Sequence, residues 1–315
     1  MPSDDNTFAL FRLLQVQGIG PVRLGAILKR ADESGLPLAE VANNPESLRT
    51  ALSDEQRCEL RANAVRSAEV WQELPGLRVK AVSFFDPRYP ELLRWLLGNQ
   101  APPLLFVRGN DALLKKASLG FCGSRKASDK GLIVARACAE IVSKAGINVV
   151  SGYAAGVDMA THCAALENGG TTGVILAEGI LHFRIKKELK GIWDWDRVLV
   201  VSQFSPGLTW SVHNAMARNQ TICALCRAMV LIEARDSGGS MEAGRTCLKL
   251  GIPLFAPVYE GMPEFAEGNR ILLNEGARSL YKSKTTNLPN LRSLLDALQV
   301  DTWSGAAQFG VAGAR

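Results

Sequence analysis

Short apolar runs alternate with helical patterns over most of the chain beyond residue 77. Several runs are predicted to be buried strands, because each is short, apolar and followed by a turn. They are Ser118–Cys122, Ile147–Val150, Thr172–Ala177, Val198–Phe204, Ala228–Glu233 and Ile252–Pro257. Apolar residues at helical spacing follow the first two, at Ala135–Val142 and Met159–Leu166. This alternation predicts an α/β fold with a doubly wound, mostly parallel sheet.

Residues 1–76 are helical in pattern and contain one tight turn, Gly18-Ile19-Gly20. Apolar residues flank this turn, as in a helix-hairpin-helix motif, whose glycines let backbone N–H groups approach a DNA phosphate. The sequence therefore predicts a small all-α domain of helix-hairpin-helix or SAM-like type. Gly18 and Gly20 are its candidate contacts to duplex backbone, and a plain helix–helix turn is the alternative.

Two further parts of the chain complete the predicted organisation. Residues 77–282 form the large domain, whose first part, Leu77–Arg108, is expected to hold an extended segment, a short helix and a strand. Residues 283–315 are expected to hold one short helix and a flexible tail, with no third domain. The apolar positions of that helix, Leu291, Leu294, Leu295 and Leu298, are expected to pack on the chain's own core.

The composition is that of a globular protein, with 47% hydrophobic and 21% charged residues among 315. Neither a run of about 18 apolar residues nor a secretory signal is present, so we predict no membrane span and a cytoplasmic location. A net charge of +5 permits nucleic acid binding without requiring it. The seven cysteines are scattered, which favours reduced thiols. Cys223 and Cys226 are interpreted as small buried side chains rather than zinc ligands.

Two glycine-rich turns supply the candidate chemistry. Gly123-Ser124-Arg125 follows the first predicted strand, and Ser151–Asp158 follows the second. Small residues let backbone N–H groups approach an anion, and the dipole of the next helix assists. Neither turn has the spacing of a dinucleotide fingerprint or a P-loop, so NAD binding and ATP hydrolysis are disfavoured. The turns therefore predict a phosphate site, in which the Arg125 guanidinium can bind bidentately.

Four motifs resemble those of the DprA (Smf) family of DNA-processing proteins, in order and in spacing. They are G-S-R at 123–125, S-G-x-A-x-G-x-D-x-x-x-H at 151–162, R-N-x-x-I at 218–222 and E-x-x-x-S-G-x-S at 233–240. The resemblance runs from about Phe84 to Leu280. It implies a Rossmann-like core related to the LOG phosphoribohydrolases, single-stranded DNA as ligand, recombinase loading and homodimerisation.

The turns and the resemblance together predict a DNA- or phosphate-binding set at the carboxyl edge of the sheet. Its members are Gly123, Ser124, Arg125, Lys126, Lys130, Ser151, Gly152, Gly156, Arg218, Asn219, Ser237, Gly238, Gly239 and Ser240. No catalytic residue, metal or cofactor is predicted.

Three positions depart from the family pattern and reduce the expected positive charge. Ala155 stands where the family has arginine, Gln220 replaces the second arginine of R-N-R, and Glu242 replaces a threonine. Removing one phosphate contact lowers affinity and its salt dependence without abolishing binding. The resemblance therefore predicts a specialised, more weakly binding member.

Two other features have both a structural and a functional interpretation. Asp158 is expected to cap the helix that follows it, and His162, one turn later, to belong to the same scaffold rather than to an acid–base pair. The basic segment Gly179–Asp196 is expected to be a covering helix with a solvated lysine face. A phosphate-tracking face is the alternative for that segment.

The leading hypothesis is a non-enzymatic protein that holds single-stranded DNA. The alternative is a regulatory module that binds a nucleotide or a protein in the same groove, such as the antitoxin of a phosphoribosyltransferase-like toxin in phage defence. A nucleotide N-glycosidic-bond hydrolase is the least favoured, because Arg245 stands where LOG proteins have their catalytic glutamate.

Overall fold

The computed structural model describes residues 4–283 and 288–299. They form an α/β structure around a nine-stranded sheet. The strands are β1 (Val79–Ser83), β2 (Leu104–Gly109), β3 (Ser118–Gly123), β4 (Asn148–Ser151), β5 (Thr172–Ile175), β6 (Val198–Ser202), β7 (Ala228–Ile232), β8 (Leu254–Pro257) and β9 (Arg278–Leu280). The six strands from β3 to β8 confirm the predicted ones, with ends shifted by no more than two residues.

Helices precede the sheet and connect its strands. They are α1 (Asp4–Leu14), α2 (Pro21–Glu33), α3 (Leu38–Asn43), α4 (Asp54–Ala62), α5 (Ala64–Glu73), α6 (Glu91–Leu97), α7 (Asp129–Lys144), α8 (Val157–Glu167), α9 (Val212–Ala224), α10 (Gly239–Lys249), α11 (Glu267–Asn274) and α12 (Arg292–Gln299). The two predicted helical stretches lie within α7 and α8.

The sheet is mostly parallel, and its winding reverses at β3. The strand order is β1-β2-β6-β5-β4-β3-β7-β8-β9. From β3 the chain proceeds through β4, β5 and β6 on one side, and then returns to β7 on the other. β1 and β2 are antiparallel additions beyond β6. A reversal of this kind opens a crevice at the carboxyl ends of the strands, where ligands of such folds bind.

Apolar residues cover both faces of the sheet. The face that carries α7, α8 and α12 is built around Phe121 and Phe255, and the face that carries α9 and α10 contains Leu231 and Met241. Cys223 and Cys226 are fully buried in the second of these clusters, which confirms their interpretation as small core side chains. Burial of this extent holds the strand ends in fixed positions.

The first five helices, the helical unit, pack on one another, and α1 packs on the antiparallel end of the sheet. The core of this unit includes Leu10, Leu24 and Leu60, and the Phe11 ring meets the edge of Phe106 in β2 at a centroid distance of 5.8 Å. Helices α1 and α2 flank the Gly18–Gly20 turn, in which Gly18 has a φ of +79°, and the helix-hairpin-helix interpretation stays a prediction. We propose the boundary between the two units in the turn Pro75–Leu77, which precedes β1.

The prediction of a covering helix over Gly179–Asp196 is wrong. The segment crosses from β5 to β6 as irregular chain with two 3-10 turns, Ile180–His182 and Lys187–Leu189. Its first backbone N–H groups donate outside the segment, from Gly179 to the Leu208 carbonyl at 2.7 Å and from Leu181 to the Pro206 carbonyl at 3.0 Å. Bonds to a neighbouring loop replace the i to i−4 ladder, so the basic spacing does not become a helix.

The C-terminal helix packs on its own core, as expected. Leu291, Leu294 and Leu298 belong to the cluster around Phe121, whereas the predicted flexible tail lies outside the described residues. Within residues 4–283 and 288–299, no helix is both long enough and apolar enough to cross a bilayer.

Candidate functional site

A cavity of about 480 Å³ lies at the carboxyl edge of the sheet, beside the switch point between β3 and β7. The loops after β3, β4, β6 and β7, the first three turns of α9 and the first turn of α10 form its walls. The predicted residues that line it are Gly123, Ser124, Arg125, Lys126, Gly152, Arg218, Asn219, Ser237, Gly238, Gly239 and Ser240. Lys130, Ser151 and Gly156 lie outside this lining. The fold therefore brings most of the predicted set together.

The turns after β3 and β4 contact each other through their backbones. The Val157 N–H donates to the Ser124 carbonyl at 3.3 Å. Gly156 has a φ of +75°, and a Cβ at this position would clash with the same carbonyl. Glycine is required there for both reasons. Gly156 does not line the cavity; it lets the turn after β4 pack against the backbone of Ser124 and Arg125, which do.

Arg218 is a buried cation in the cavity wall. Its side chain donates to the Ile175 carbonyl, only 7% of the residue is exposed, and its Nε has no hydrogen-bond partner among the described residues. Burial lowers the pKa of the guanidinium, and the Asp158 carboxylate opposes that shift. A buried guanidinium whose donors are only partly paired favours an anionic partner nearby.

Gly152 explains how Arg218 and Asp158 come close to the second turn. A Cβ on Gly152 would clash with Nη1 of Arg218 and would lie 2.5 Å from Oδ2 of Asp158. The absence of a side chain therefore lets a guanidinium and a carboxylate approach the backbone at the strand end. Larger residues at position 152 would displace both.

Asp158 and His162 form a hydrogen-bonded scaffold. Oδ2 of Asp158 accepts from the Ala154 N–H at 3.0 Å, and Oδ1 lies 2.9 Å from the buried Ser151 hydroxyl. The prediction that Asp158 is the helix cap is wrong, because α8 begins at Val157 with Gly156 in the capping position. Asp158 instead braces the turn from inside the helix.

His162 lies between two fixed partners, as the scaffold interpretation requires. Its Nε2 is 2.6 Å from the Gly152 carbonyl and its Nδ1 is 2.7 Å from the Thr172 hydroxyl. Burial lowers the pKa of His162, which favours the neutral ring. In the neutral ring Nε2 donates to the Gly152 carbonyl, which leaves Nδ1 as an acceptor facing the Thr172 hydroxyl. The one proton of that hydroxyl is shared between Nδ1 and the Val149 carbonyl, which lies 2.9 Å away.

The turn before α10 is bonded to the rest of the site. Ser240 donates to the Gly123 carbonyl at 3.0 Å, and the Asn219 side-chain amide donates to the Gly239 carbonyl at 3.1 Å. Because α10 begins at Gly239, its first backbone N–H groups have no partner within the helix. These donors and the helix dipole lie in the wall of the same cavity.

Glu233 is a buried carboxylate that the sequence motif contained but did not explain. It accepts from the Ser128 N–H at 2.7 Å and the Ser128 hydroxyl at 2.5 Å, and also from the Tyr259 hydroxyl. Burial and the Glu233 carboxylate raise the pKa of Tyr259. Glu233 thus fixes the start of α7. Lys130 donates to the Glu260 carbonyl beside Tyr259, which holds it away from the cavity.

Trp210 lines the candidate site but was not among the residues predicted from the sequence, and the same is true of the exposed Arg235. Trp210 is 47% exposed, and the Arg125 guanidinium carbon lies 5.9 Å from its ring centroid. The ring lines the cavity and also a neighbouring one of about 490 Å³, which Tyr153 and Ala155 line as well. A single tryptophan in the polar loop before Arg218 is the sequence feature that could have indicated a stacking residue at this site.

The three positions that depart from the family pattern differ in their relation to the site. Ala155 lines the neighbouring cavity, so its missing charge falls where a ligand would lie. Gln220 and Glu242 are exposed and lie outside the lining of both cavities. Arg245, at the position of the LOG glutamate, pairs with Glu275 at 2.9 Å and is also outside both. The charge reduction is therefore centred on Ala155.

The predicted hairpin lies beside this edge of the sheet. The Ser205 hydroxyl donates to the Gln15 side chain at 2.6 Å, which joins the end of α1 to the loop after β6. A cavity of about 550 Å³ separates Pro21 from that loop. The helical unit thus borders the carboxyl edge without contributing to the main cavity.

Known proteins resemble this chain over the same region. Residues 80–288 match the family described as DNA recombination-mediator protein A. DNA processing protein DprA of Streptococcus pneumoniae is 33% identical over 202 residues, which cover 62% of this chain and 69% of that protein. Protein Smf of Escherichia coli is 30% identical over 218 residues, which cover 68% of this chain and 57% of that protein.

Solved structures share the fold. The crystal structure of DprA from S. pneumoniae superposes with a TM-score of 0.70 at 26% identity, over 87% of this chain and 94% of that one. DprA from Helicobacter pylori, whose structure describes a single-stranded DNA binding mode, superposes with a TM-score of 0.56 at 22% identity, over 64% and 90%.

Proposed function

Because this chain belongs to the DNA recombination-mediator protein A family, we propose that it holds single-stranded DNA in the cavity at the carboxyl edge of the sheet. In this role Arg125, Arg218 and the N-terminus of α10 bind backbone phosphates. Trp210 and the neighbouring cavity accept the bases. The protein acts by binding and not by covalent chemistry.

The observation that carries the proposal is Arg218. A guanidinium buried beside an open cavity costs free energy unless it is paired, and its Nε is unsatisfied among the described residues. Arg125 adds a second guanidinium at the cavity mouth, where its exposed side chain has no hydrogen bond to another described residue. The lining holds four cationic side chains, Arg125, Lys126, Arg218 and Arg235, against the two carboxylates Asp158 and Glu233. This excess of positive charge and the helix N-terminus match the charge and donors of a phosphate group.

A strand is favoured over a mononucleotide by the shape of this edge. Two cavities of about 480 and 490 Å³ adjoin at Trp210 and Arg125. An exposed indole between them offers a surface on which a base of any sequence can stack. The single-stranded DNA binding mode described for the H. pylori protein supports the same ligand class.

A role in DNA processing follows from the family, and we extend it to recombinase loading by a homodimer. A hydrolase is disfavoured, since the Asp158 and Glu233 carboxylates in the cavity wall already accept protein hydrogen bonds. The regulatory alternative, with a nucleotide or a toxin in the groove, draws on Ala155, which replaces a positive charge in the lining.

Binding to a labelled oligonucleotide tests the proposal. We expect micromolar or tighter affinity at low salt and a steep fall as salt rises, because each phosphate contact contributes about 0.7 to the slope of log K against log salt. Fluorescence anisotropy of a labelled oligothymidine at two ionic strengths measures both quantities. Absence of binding at low salt would contradict the proposed function and favour the regulatory alternative.

A further inference from the structure

The basic crossover between β5 and β6 is not used by the proposed site. It leaves the carboxyl edge after β5 and reaches the amino edge before β6, so it spans the sheet. Its near end touches the proposed site, because Lys186 donates to the Tyr153 carbonyl at 2.5 Å and the Tyr153 hydroxyl donates to the Arg184 carbonyl at 3.1 Å. The backbone of Arg184 is thereby held against Tyr153, which lines the first cavity's neighbour.

A separate cavity of about 970 Å³ lies at the far end, on the amino edge of the sheet. Its lining includes Arg78, Lys80, Arg108, Trp195 and Asp196. The Arg108 guanidinium carbon is 4.6 Å from the centroid of the Trp195 ring. Stacking uses the face of a guanidinium and leaves the N–H groups at its edge available. Arg108 is thus oriented before any ligand arrives.

The positive charges of this cavity are only partly balanced. Lys80 pairs with Asp111 at 2.8 Å, whereas the described residues offer no hydrogen bond or ion pair to the side chains of Arg78 and Arg108. Burial lowers the pKa of Arg108, and the charges of Arg78 and Arg184 lower it further. Arg184 lies outside the cavity lining, but it follows Phe183, which packs on the Trp195 ring that Arg108 stacks on. Its Nη1 donates to the Leu181 and Phe183 carbonyls at 2.9 and 2.7 Å, which leaves its other nitrogens for a ligand. Asp196 is the carboxylate in the lining.

Two features fix this arrangement. Arg78 adopts a φ of +56°, a left-handed conformation that costs free energy for a residue with a side chain. Trp195 packs edge-on against Trp193 at 5.2 Å and against Phe183 at 6.2 Å. Neighbouring like charges on a rigid support favour a multivalent anion, and a phosphodiester backbone supplies phosphates in series.

Building on the proposed function, we propose that Arg78, Arg108 and Arg184 form a second phosphate-binding site. It holds the backbone of the same single strand after the strand has left the carboxyl-edge cavity and crossed the β5–β6 connection. Strands that end within the first cavity do not reach it. The arginines therefore contribute to affinity and salt dependence only for longer DNA.

The test compares two strand lengths in the full chain. The variant is Arg78→Ser with Arg184→Ser, which leaves the Arg108–Trp195 contact intact. Its control, Arg49→Ser with Lys249→Ser, removes the same charge from exposed positions elsewhere. Oligothymidines of about 6 and about 25 nucleotides bracket the footprint of roughly 4–16 nucleotides that single-strand-binding modules cover.

We expect the variant to bind the longer strand about 5- to 20-fold more weakly at low salt. Its salt slope should fall by about 1.4, because each phosphate that an arginine no longer neutralises removes about 0.7 from the slope. Affinity for the shorter strand should change less than about twofold, and the control should bind both as the unmodified protein does.

Several results would overturn the second site. Unchanged binding of the longer strand, an equal loss for both lengths, or an equal loss in the control each contradict it, while the carboxyl-edge proposal stands. Weakened binding confined to duplex DNA of about 25 base pairs would assign the arginines to another ligand. If the unmodified protein binds neither oligothymidine, the proposed function fails as well.

Discussion

Arg125→Ala should weaken single-strand binding by about 5- to 150-fold, or about 1–3 kcal/mol, the range for loss of a charged hydrogen bond. The Arg125 side chain is exposed at the cavity mouth, where it lies over the Trp210 ring. It makes no hydrogen bond or ion pair with another described residue. The fold should therefore keep its stability within about 0.5 kcal/mol. Anisotropy titration at low salt measures the affinity, and thermal melting by circular dichroism measures the stability.

Lys249→Ala is the matched control, since Lys249 is an exposed cation at the far end of α10. A folded Arg125→Ala protein that binds single strands normally would show that the G-S-R turn is not the DNA site. The nucleotide- or protein-binding role would then replace the proposed one.

Trp210→Ala should weaken single-strand binding by about 1–3 kcal/mol, the range found for loss of one base–aromatic stack. The indole is half exposed between two cavities. Its removal should therefore cost little folding stability, while its exposed face is available for a base to stack on. Trp210→Phe should retain most of the affinity, because a phenyl ring also stacks. The measurement is the same titration, with oligothymidine and oligoadenosine compared.

Trp95→Ala provides the control for the loss of an exposed indole, since Trp95 is 56% exposed and lines a different cavity. If Trp210→Ala and Trp95→Ala bind alike, stacking at position 210 plays no part. If Trp210→Phe loses as much affinity as Trp210→Ala, the indole N–H rather than the ring face makes the contact.

Most residues that line the candidate cavity could be predicted from the sequence because their signals are local. Strand, glycine turn and helix follow one another within a few residues at Gly123–Arg125 and at Ser151–Asp158. Parallel strands bring their carboxyl ends to one edge, so motifs far apart in the chain converge. Arg218 and Asn219 reach the cavity for that reason. The strand positions were equally readable, since each buried strand is a short apolar run.

Features that depend on tertiary contacts could not be predicted from the sequence. The crossover Gly179–Asp196 has a basic pattern, yet its backbone bonds to the loop after β6 override helix formation. Trp210 belongs to no motif, and its value depends on where two cavities meet. The pairing of β1 with β2, which sets Val79 opposite Arg108, gathers the arginines of the amino edge and leaves no sequence signature.

Of the three departures from the family pattern, Ala155 is expected to affect DNA binding most. It is the one of the three positions that lines a cavity, so its effect on a bound strand is direct. One missing phosphate contact lowers the salt slope by about 0.7. The exposed Gln220 and Glu242 lie outside both cavities and act on a bound strand only through screened charge.

Photochemical cross-linking of the protein to an oligothymidine tests most directly where the strand lies. Aromatic side chains that stack on a base are the ones placed to form adducts on irradiation. We expect modified peptides from the loop that contains Trp210 and from the turn that contains Tyr153, and their loss in the Arg125→Ala protein at the same concentration. Adducts confined to the helical unit, with both carboxyl-edge segments unmodified, would contradict a single strand held at the carboxyl edge of the sheet.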